Sequence, residues 1–170
     1  MNKILWVLVL LCVSHIAQAS PNRDFSFKYG VISDNGPIFA FAPTKFFAVA
    51  ARDDLWVFTQ QLELGFISDP STPGMASPAF VSHAIGFETK TETFFGYYLL
   101  GPALISGTDS KLSSILQFTH DLGAGFKDKR GIAVDISYRH FSNAGLWPPN
   151  NGRNFIVLRL SMPWSTLFGT

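Results

Sequence analysis

Residues 131–142 read Gly-Ile-Ala-Val-Asp-Ile-Ser-Tyr-Arg-His-Phe-Ser, and this stretch decides the fold. The even positions Ile132, Val134, Ile136 and Tyr138 are large and mostly apolar. The odd positions Ala133, Asp135, Ser137 and Arg139 are small or polar. Successive side chains of a strand point to opposite faces, so this period of two specifies an extended segment with one greasy and one polar face. The neighbouring segments repeat the pattern. In 113–126, Leu116, Phe118, Leu122, Ala124 and Phe126 alternate with Gln117, Thr119, Asp121, Gly123 and Gly125. In the last run, Ile156, Leu158, Leu160 and Met162 alternate with Phe155, Val157, Arg159 and Ser161.

Turn residues divide the rest in the same way. Eight extended runs are expected, at roughly 24–33, 43–52, 55–68, 79–90, 92–106, 113–126, 131–142 and 153–163. The first two have the weakest alternation. No strong helical periodicity, sequence repeat or inter-domain linker interrupts them, and a chain of 170 residues suits one domain.

The N-terminus has a different character. A short basic start at Met1-Asn2-Lys3 precedes an apolar run from Ile4 to Val13 and a small-x-small site at Ala17-Gln18-Ala19. This is the pattern of a secretory signal peptide, so residues 1–19 are expected to be cleaved and 20–170 to form the domain. Cleavage removes Lys3 and Cys12, leaving 12 Lys+Arg against 12 Asp+Glu and no cysteine. An exported chain without disulfides needs another source of stability. Balanced charge argues against nucleic acid as a partner.

Composition then separates two kinds of barrel. The chain has 17 Phe, 4 Trp and 4 Tyr, and only 15% of its residues are charged, yet nothing after the leader approaches a membrane-spanning helix. Transmembrane barrels hide their hydrophobicity in alternation. The expected fold is therefore an all-β, eight-stranded antiparallel up-and-down transmembrane β-barrel. Its apolar row faces lipid and its small and polar residues fill a narrow polar lumen, where Asp135 is expected to pair with Arg139 or Arg159. A soluble barrel with a greasy interior is the competing architecture. Trp56, Trp147 and Trp164 fall at run ends, as an aromatic girdle requires.

On this parity His140 and Ser142 continue the outward row beyond Tyr138. An imidazole and a hydroxyl facing lipid are costly without a purpose. If both termini are periplasmic, the seventh strand ends at the outer leaflet, beside ester-linked acyl chains. Histidine-activated serine is the usual machinery for ester hydrolysis. His83 and His120, the other histidines of the mature chain, are expected to be structural, His120 on the outer face near an aromatic. Arg153, Lys127, Lys129 and Arg130 are placed near loops on the outer side, as solvated charges or as contacts for lipid phosphates.

The run Tyr138-Arg139-His140-Phe141-Ser142-Asn143-Ala144-Gly145-Leu146, followed by Pro149-Asn150-Asn151-Gly152, resembles the lipid A 3-O-deacylase family of the PagL type. Leu122-Gly123-Ala124-Gly125-Phe126 and Gly101-Pro102-Ala103 fit the same resemblance more faintly. It implies an outer-membrane barrel whose exterior site removes the 3-O-linked acyl chain of lipid A without metal or other cofactor. Its partners would be lipid A and the outer-membrane lipid, and a homodimer is compatible with it. Carried over, His140 is the general base, Ser142 the nucleophile and Asn150 the oxyanion-hole asparagine. Asn143 supports that region, its backbone N–H being a candidate donor, and Trp147 could shape an acyl groove.

The family's third member is a glutamate fourteen residues after the histidine, and here that position is Asn154. Asparagine can accept a hydrogen bond from Nδ1–H but brings no charge. Three readings follow: a working Ser-His-Asn arrangement, an alignment displaced by a residue or two near Arg153, or a barrel that has lost catalysis and serves a structural or lipid-binding role.

Overall fold

The computed structural model of the chain describes residues 24–32, 45–55, 58–68, 77–91, 93–109 and 111–168. Residues 1–19 and Trp56 lie outside the described residues. Eight strands follow one another: β1 (Asp24–Ile32), β2 (Lys45–Leu55), β3 (Phe58–Ser68), β4 (Ala79–Lys90), β5 (Phe94–Ile105), β6 (Leu116–Lys127), β7 (Ala133–Ser142) and β8 (Arg153–Pro163). Each pairs antiparallel with the next, and β8 pairs with β1, so the sheet closes on itself and has no free edge. A short helix not foreseen from the sequence, α1 (Trp164–Phe168), follows Pro163. Proline suits a helix start, where its missing N–H costs nothing.

The alternation resolves in favour of lipid outside. Ile136 is 59% and Leu122 60% exposed, whereas Arg139 is 0% and Asp121 1% exposed. Exterior aromatics form contacts across strands, such as Phe47 stacked on Phe66 with centroids 5.0 Å apart and Phe94 against Phe126 at 4.5 Å. A continuous apolar belt of this kind is the outer surface of a transmembrane barrel, and the strands do the crossing.

Inside, charges pair with one another. Lys28 Nζ lies 2.8 Å from Glu63 and 3.1 Å from Asp121, and Arg139 reaches both the same carboxylates. Asp135 accepts from Tyr97 O–H at 2.7 Å and from Arg159 Nε–H. Of the two expected partners of Asp135, Arg159 is therefore the one that pairs with it, while Arg139 is taken by Glu63 and Asp121. Gly123 makes room for this layer, since a Cβ there would lie 2.5 Å from the Tyr97 ring.

The interior is not polar throughout, as the sequence reading supposed. At the end where β7 finishes, Ile67, Phe80, Ile105, Leu112, Phe141 and Phe155 pack as an apolar layer. Phe80 and Phe155 both meet Phe141 edge to face, with centroids 5.4 and 6.0 Å away. Bulky residues at the inward positions seal the barrel at that end. They also anchor the backbone on either side of His140, Ser142 and Asn154.

Candidate active site

Phe141 is fully buried and points inward, so its neighbours His140 and Ser142 point out. Phe155 does the same for Asn154 on β8. Strand register then places His120, His140 and Asn154 side by side on β6, β7 and β8. His140 Nδ1 lies 2.7 Å from Asn154 Oδ1. An amide oxygen can only accept, so Nδ1 carries the proton and Nε2 keeps its lone pair for use as a base. Tyr138 O–H donates to the same Oδ1 at 2.5 Å. On the other flank, the His120 ring centroid is 6.1 Å from that of His140, and Tyr98 O–H reaches His120 Nδ1 at 2.7 Å.

Asn154 is thus the direct neighbour of His140, and no shift of register brings an acid into its place. Asp121 and Asp135 face the lumen, as their parity requires, and Glu63 is buried between Lys28 and Arg139. Ser142 is half-buried on the same outward row as His140, opposite Phe118 of β6. No hydrogen bond joins Ser142 Oγ to His140 among the described residues, an arrangement common before substrate binds.

Beyond Ser142 the chain turns sharply. Ala144 and Gly145 both adopt positive φ, at 56° and 78°, and Gly152 has φ 66°. Gly152 is needed twice over: a Cβ there would lie 2.7 Å from His140 Cε1 and 2.8 Å from the Phe141 carbonyl oxygen. The backbone at Gly152 therefore leaves no room for a side chain beside the imidazole.

Asn143 is buried and knits this turn together. Its Oδ1 accepts Gly145 N–H at 3.0 Å, and its Nδ2 donates to the Trp147 carbonyl at 2.5 Å and to Ser113 Oγ at 3.0 Å. Its backbone N–H donates to Asn150 Oδ1 at 3.0 Å. The expectation that this N–H is open to an oxyanion is therefore corrected. The bond orients the Asn150 amide, whose remaining donor is Nδ2. Trp147 is 47% and Leu146 57% exposed, so both present apolar surface near Ser142.

The expected lipid-phosphate contacts also change. Arg153 is 4% exposed and points inward, paired with Asp109. Lys127 closes β6 and Lys129 and Arg130 follow it before β7, at the opposite end of the barrel from Ser142. Arg130 pairs there with Asp128 at 3.0 Å and Lys127 with Asp24 at 3.6 Å. No group of three or more His, Cys, Asp or Glu is placed to hold a metal among the described residues.

His120 lies on the outer face with its ring beside Tyr98, as expected. Its parity was legible, but its place opposite His140 depends on the β6–β7 register, which only the closed sheet fixes.

The fold is that of a membrane barrel whose His140, Ser142 and Asn154 lie on the outer wall, facing lipid, while its lumen is filled with side chains. The chain belongs to the lipid A 3-O-deacylase (PagL) family, whose family model matches residues 45–163. It is 39% identical to the lipid A deacylase PagL of Pseudomonas aeruginosa over 90 residues, covering 51% of this chain and 50% of that protein. It is 33% identical to the lipid A deacylase PagL of Bordetella bronchiseptica over 70 residues, 39% of each chain. The chain thus spans half or less of the length of these curated relatives. Among solved structures, the crystal structure of the outer membrane enzyme PagL superposes with a TM-score of 0.62 at 24% identity, over 82% of this chain and 99% of that one. A designed transmembrane β-barrel gives 0.59 at 14% identity, over 85% and 97%.

Proposed function

We propose that this protein is an outer-membrane esterase that hydrolyses the 3-O-linked acyl chain of lipid A by a Ser-His mechanism. The leader-like segment 1–19 is the route of export in this reading. The observation that carries it is the His140–Asn154 hydrogen bond on the outer wall, which leaves Nε2 as a free base on the row that continues to Ser142. Family membership supplies the substrate class.

The steps follow from these groups. His140 Nε2 takes the Ser142 hydroxyl proton as Oγ attacks the ester carbonyl carbon. Negative charge gathers on the carbonyl oxygen, and Asn150 Nδ2 is the donor assigned to it. The tetrahedral species collapses, the C–O bond to the sugar breaks, and the leaving oxygen takes the proton from His140. Water, deprotonated by His140, then attacks the acyl-Ser142 carbonyl, the acyl C–Oγ bond breaks, Ser142 Oγ takes the proton back from His140, and the fatty acid leaves. Asn154 holds the tautomer throughout, with Tyr138 fixing its amide, but contributes no charge to the imidazolium. Neither metal nor other cofactor has a part in this scheme.

Asn154 also favours a second reading, a catalytically silent barrel with a structural or lipid-binding role. Purified protein in detergent with lipopolysaccharide separates the two. Fatty-acid release by the wild type and none by His140→Ala supports the esterase, and equal, background release from both folded proteins supports the silent barrel.

A further inference from the structure

At the end of the barrel where Ser142 lies, the β5–β6 connection grips the β7–β8 connection, and one carboxylate organises the grip. Asp109 Oδ2 accepts Arg153 Nε–H at 3.2 Å and Nη2–H at 2.5 Å. Asp109 Oδ1 accepts the backbone N–H groups of Lys111 and Leu112, both at 2.7 Å. These two residues touch the site directly. Leu112, 1% exposed, forms a β-bridge with Asn150. The Lys111 carbonyl accepts Gly152 N–H at 3.3 Å. Ser113 Oγ–H donates to the Trp147 carbonyl at 3.0 Å.

We infer that Asp109 is a positioning residue for the reaction, holding Asn150 and Gly152 in place against Ser142 and His140 without touching substrate. The inference rests on the esterase reading given above. Its physical basis is the weakness of the β7–β8 connection on its own. Residues 143–152 are tied to the barrel only at their ends by strand pairing, and Gly145 and Gly152 have positive φ. An oxyanion donor in such a segment must be held before the charge develops, because reorganisation at that moment subtracts from catalysis. Misplacement by about 1 Å costs on the order of 10² in rate. Asp109 supplies the constraint in two directions. Through Arg153 it fixes the residue between Gly152 and Asn154, and through the Lys111 and Leu112 N–H groups it shapes the backbone that meets Asn150 and Gly152.

A merely stabilising ion pair makes a different forecast. Replacing a buried pair by apolar residues of similar volume is often neutral or stabilising. If Asp109 and Arg153 only stabilise, the double variant Asp109→Leu/Arg153→Leu restores whatever Asp109→Asn loses. If Asp109 positions, it does not: asparagine keeps an Oδ1 for the Lys111 and Leu112 N–H groups and loses only the ion pair with Arg153, whereas leucine leaves those N–H groups without an acceptor as well.

The test measures kcat and KM on lipopolysaccharide micelles and hydrogen exchange across 143–152 in the full-length protein. It compares the wild type, Asp109→Asn, Asp109→Glu and the double leucine variant. The expected result for Asp109→Asn is a kcat about tenfold to a hundredfold lower, with KM within about twofold. The Gly152 and Asn143 amides exchange faster and the unfolding midpoint hardly moves. Asp109→Glu recovers part of kcat, and the double leucine variant folds but stays slow. Unchanged exchange in Asp109→Asn would overturn the inference, as would faster exchange with unchanged kcat or full recovery in the double variant. A wild type that releases no fatty acid, like Ser142→Ala, would overturn the esterase reading and the catalytic half of this inference together, while the exchange arm separately decides whether Asp109 holds the segment.

Discussion

His140 Nδ1 and Asn154 Oδ1 are 2.7 Å apart on adjacent strands of a lipid-facing wall. The contact gives His140 its tautomer but no compensating charge. In a serine protease, an asparagine in place of the third-member aspartate costs about 10⁴ in kcat. Asn154→Glu should therefore raise the rate of acyl release by about tenfold or more, a part of that factor, provided the longer side chain reaches Nδ1. Asn154→Ala should lower it. Steady-state rates on lipopolysaccharide check this, and an active wild type with no gain from glutamate would remove Asn154 from the triad.

Gly152 offers a steric test of the same imidazole. Gly152→Ala places a methyl group 2.7 Å from His140 Cε1 at a backbone φ of 66°, so the ring must move. The predicted outcome is loss of most activity from a barrel that still folds, read by fatty-acid release beside the heat-modifiable mobility of the folded protein. Activity within about twofold of wild type would mean that the ring position is not set from this side.

The lumen makes a prediction about stability rather than chemistry. Glu63 is buried with Lys28 and Arg139 around it. Glu63→Ala leaves two buried cations short of a partner, and breaking such a cluster costs about 3–5 kcal/mol. The urea midpoint of the barrel in detergent should fall accordingly. A variant as stable as the wild type would show that Asp121 alone can neutralise both cations.

Acid should loosen the site's outer clasp. Burial pushes the Asp109 carboxyl up, but hydrogen bonds from the Leu112 N–H, the Arg153 guanidinium and the Lys111 N–H outweigh it and hold the group below its ordinary value. A carboxyl depressed in the folded state stabilises fully above its unfolded value and loses that contribution as pH falls through the folded one. The clasp should be constant from about pH 5 upward and weaken only below about pH 4. Exchange at the Gly152 amide, corrected for the intrinsic rate, should rise there in the wild type. It should show no such step in Asp109→Asn.

The sequence carried the strands further than it carried the site. Alternation in 113–126, 131–142 and 153–163 was enough to place β6, β7 and β8 within three residues, because a period of two needs no partner to be read. Asp121, Asp135 and Arg139 were correctly turned inward for the same reason. Whatever depends on two strands at once was less legible. His120 beside His140 is a matter of register. The inward layer of Phe80, Phe141 and Phe155 breaks the rule that polar residues fill the lumen, since one end of the barrel is sealed with rings. The bonds of Asp109 to Arg153 and to the loop beside Asn150 join segments far apart in the chain, and no local pattern announces them.

The central claim is that Ser142, activated by His140, removes an ester-linked acyl chain from lipid A. Mass spectrometry of lipid A tests it most directly, from outer membranes carrying fully acylated lipid A and either the wild-type protein or Ser142→Ala. The account predicts loss of one 3-hydroxyacyl chain with the wild type and intact lipid A with the variant. Intact lipid A in both, with both barrels folded in the membrane, would contradict it.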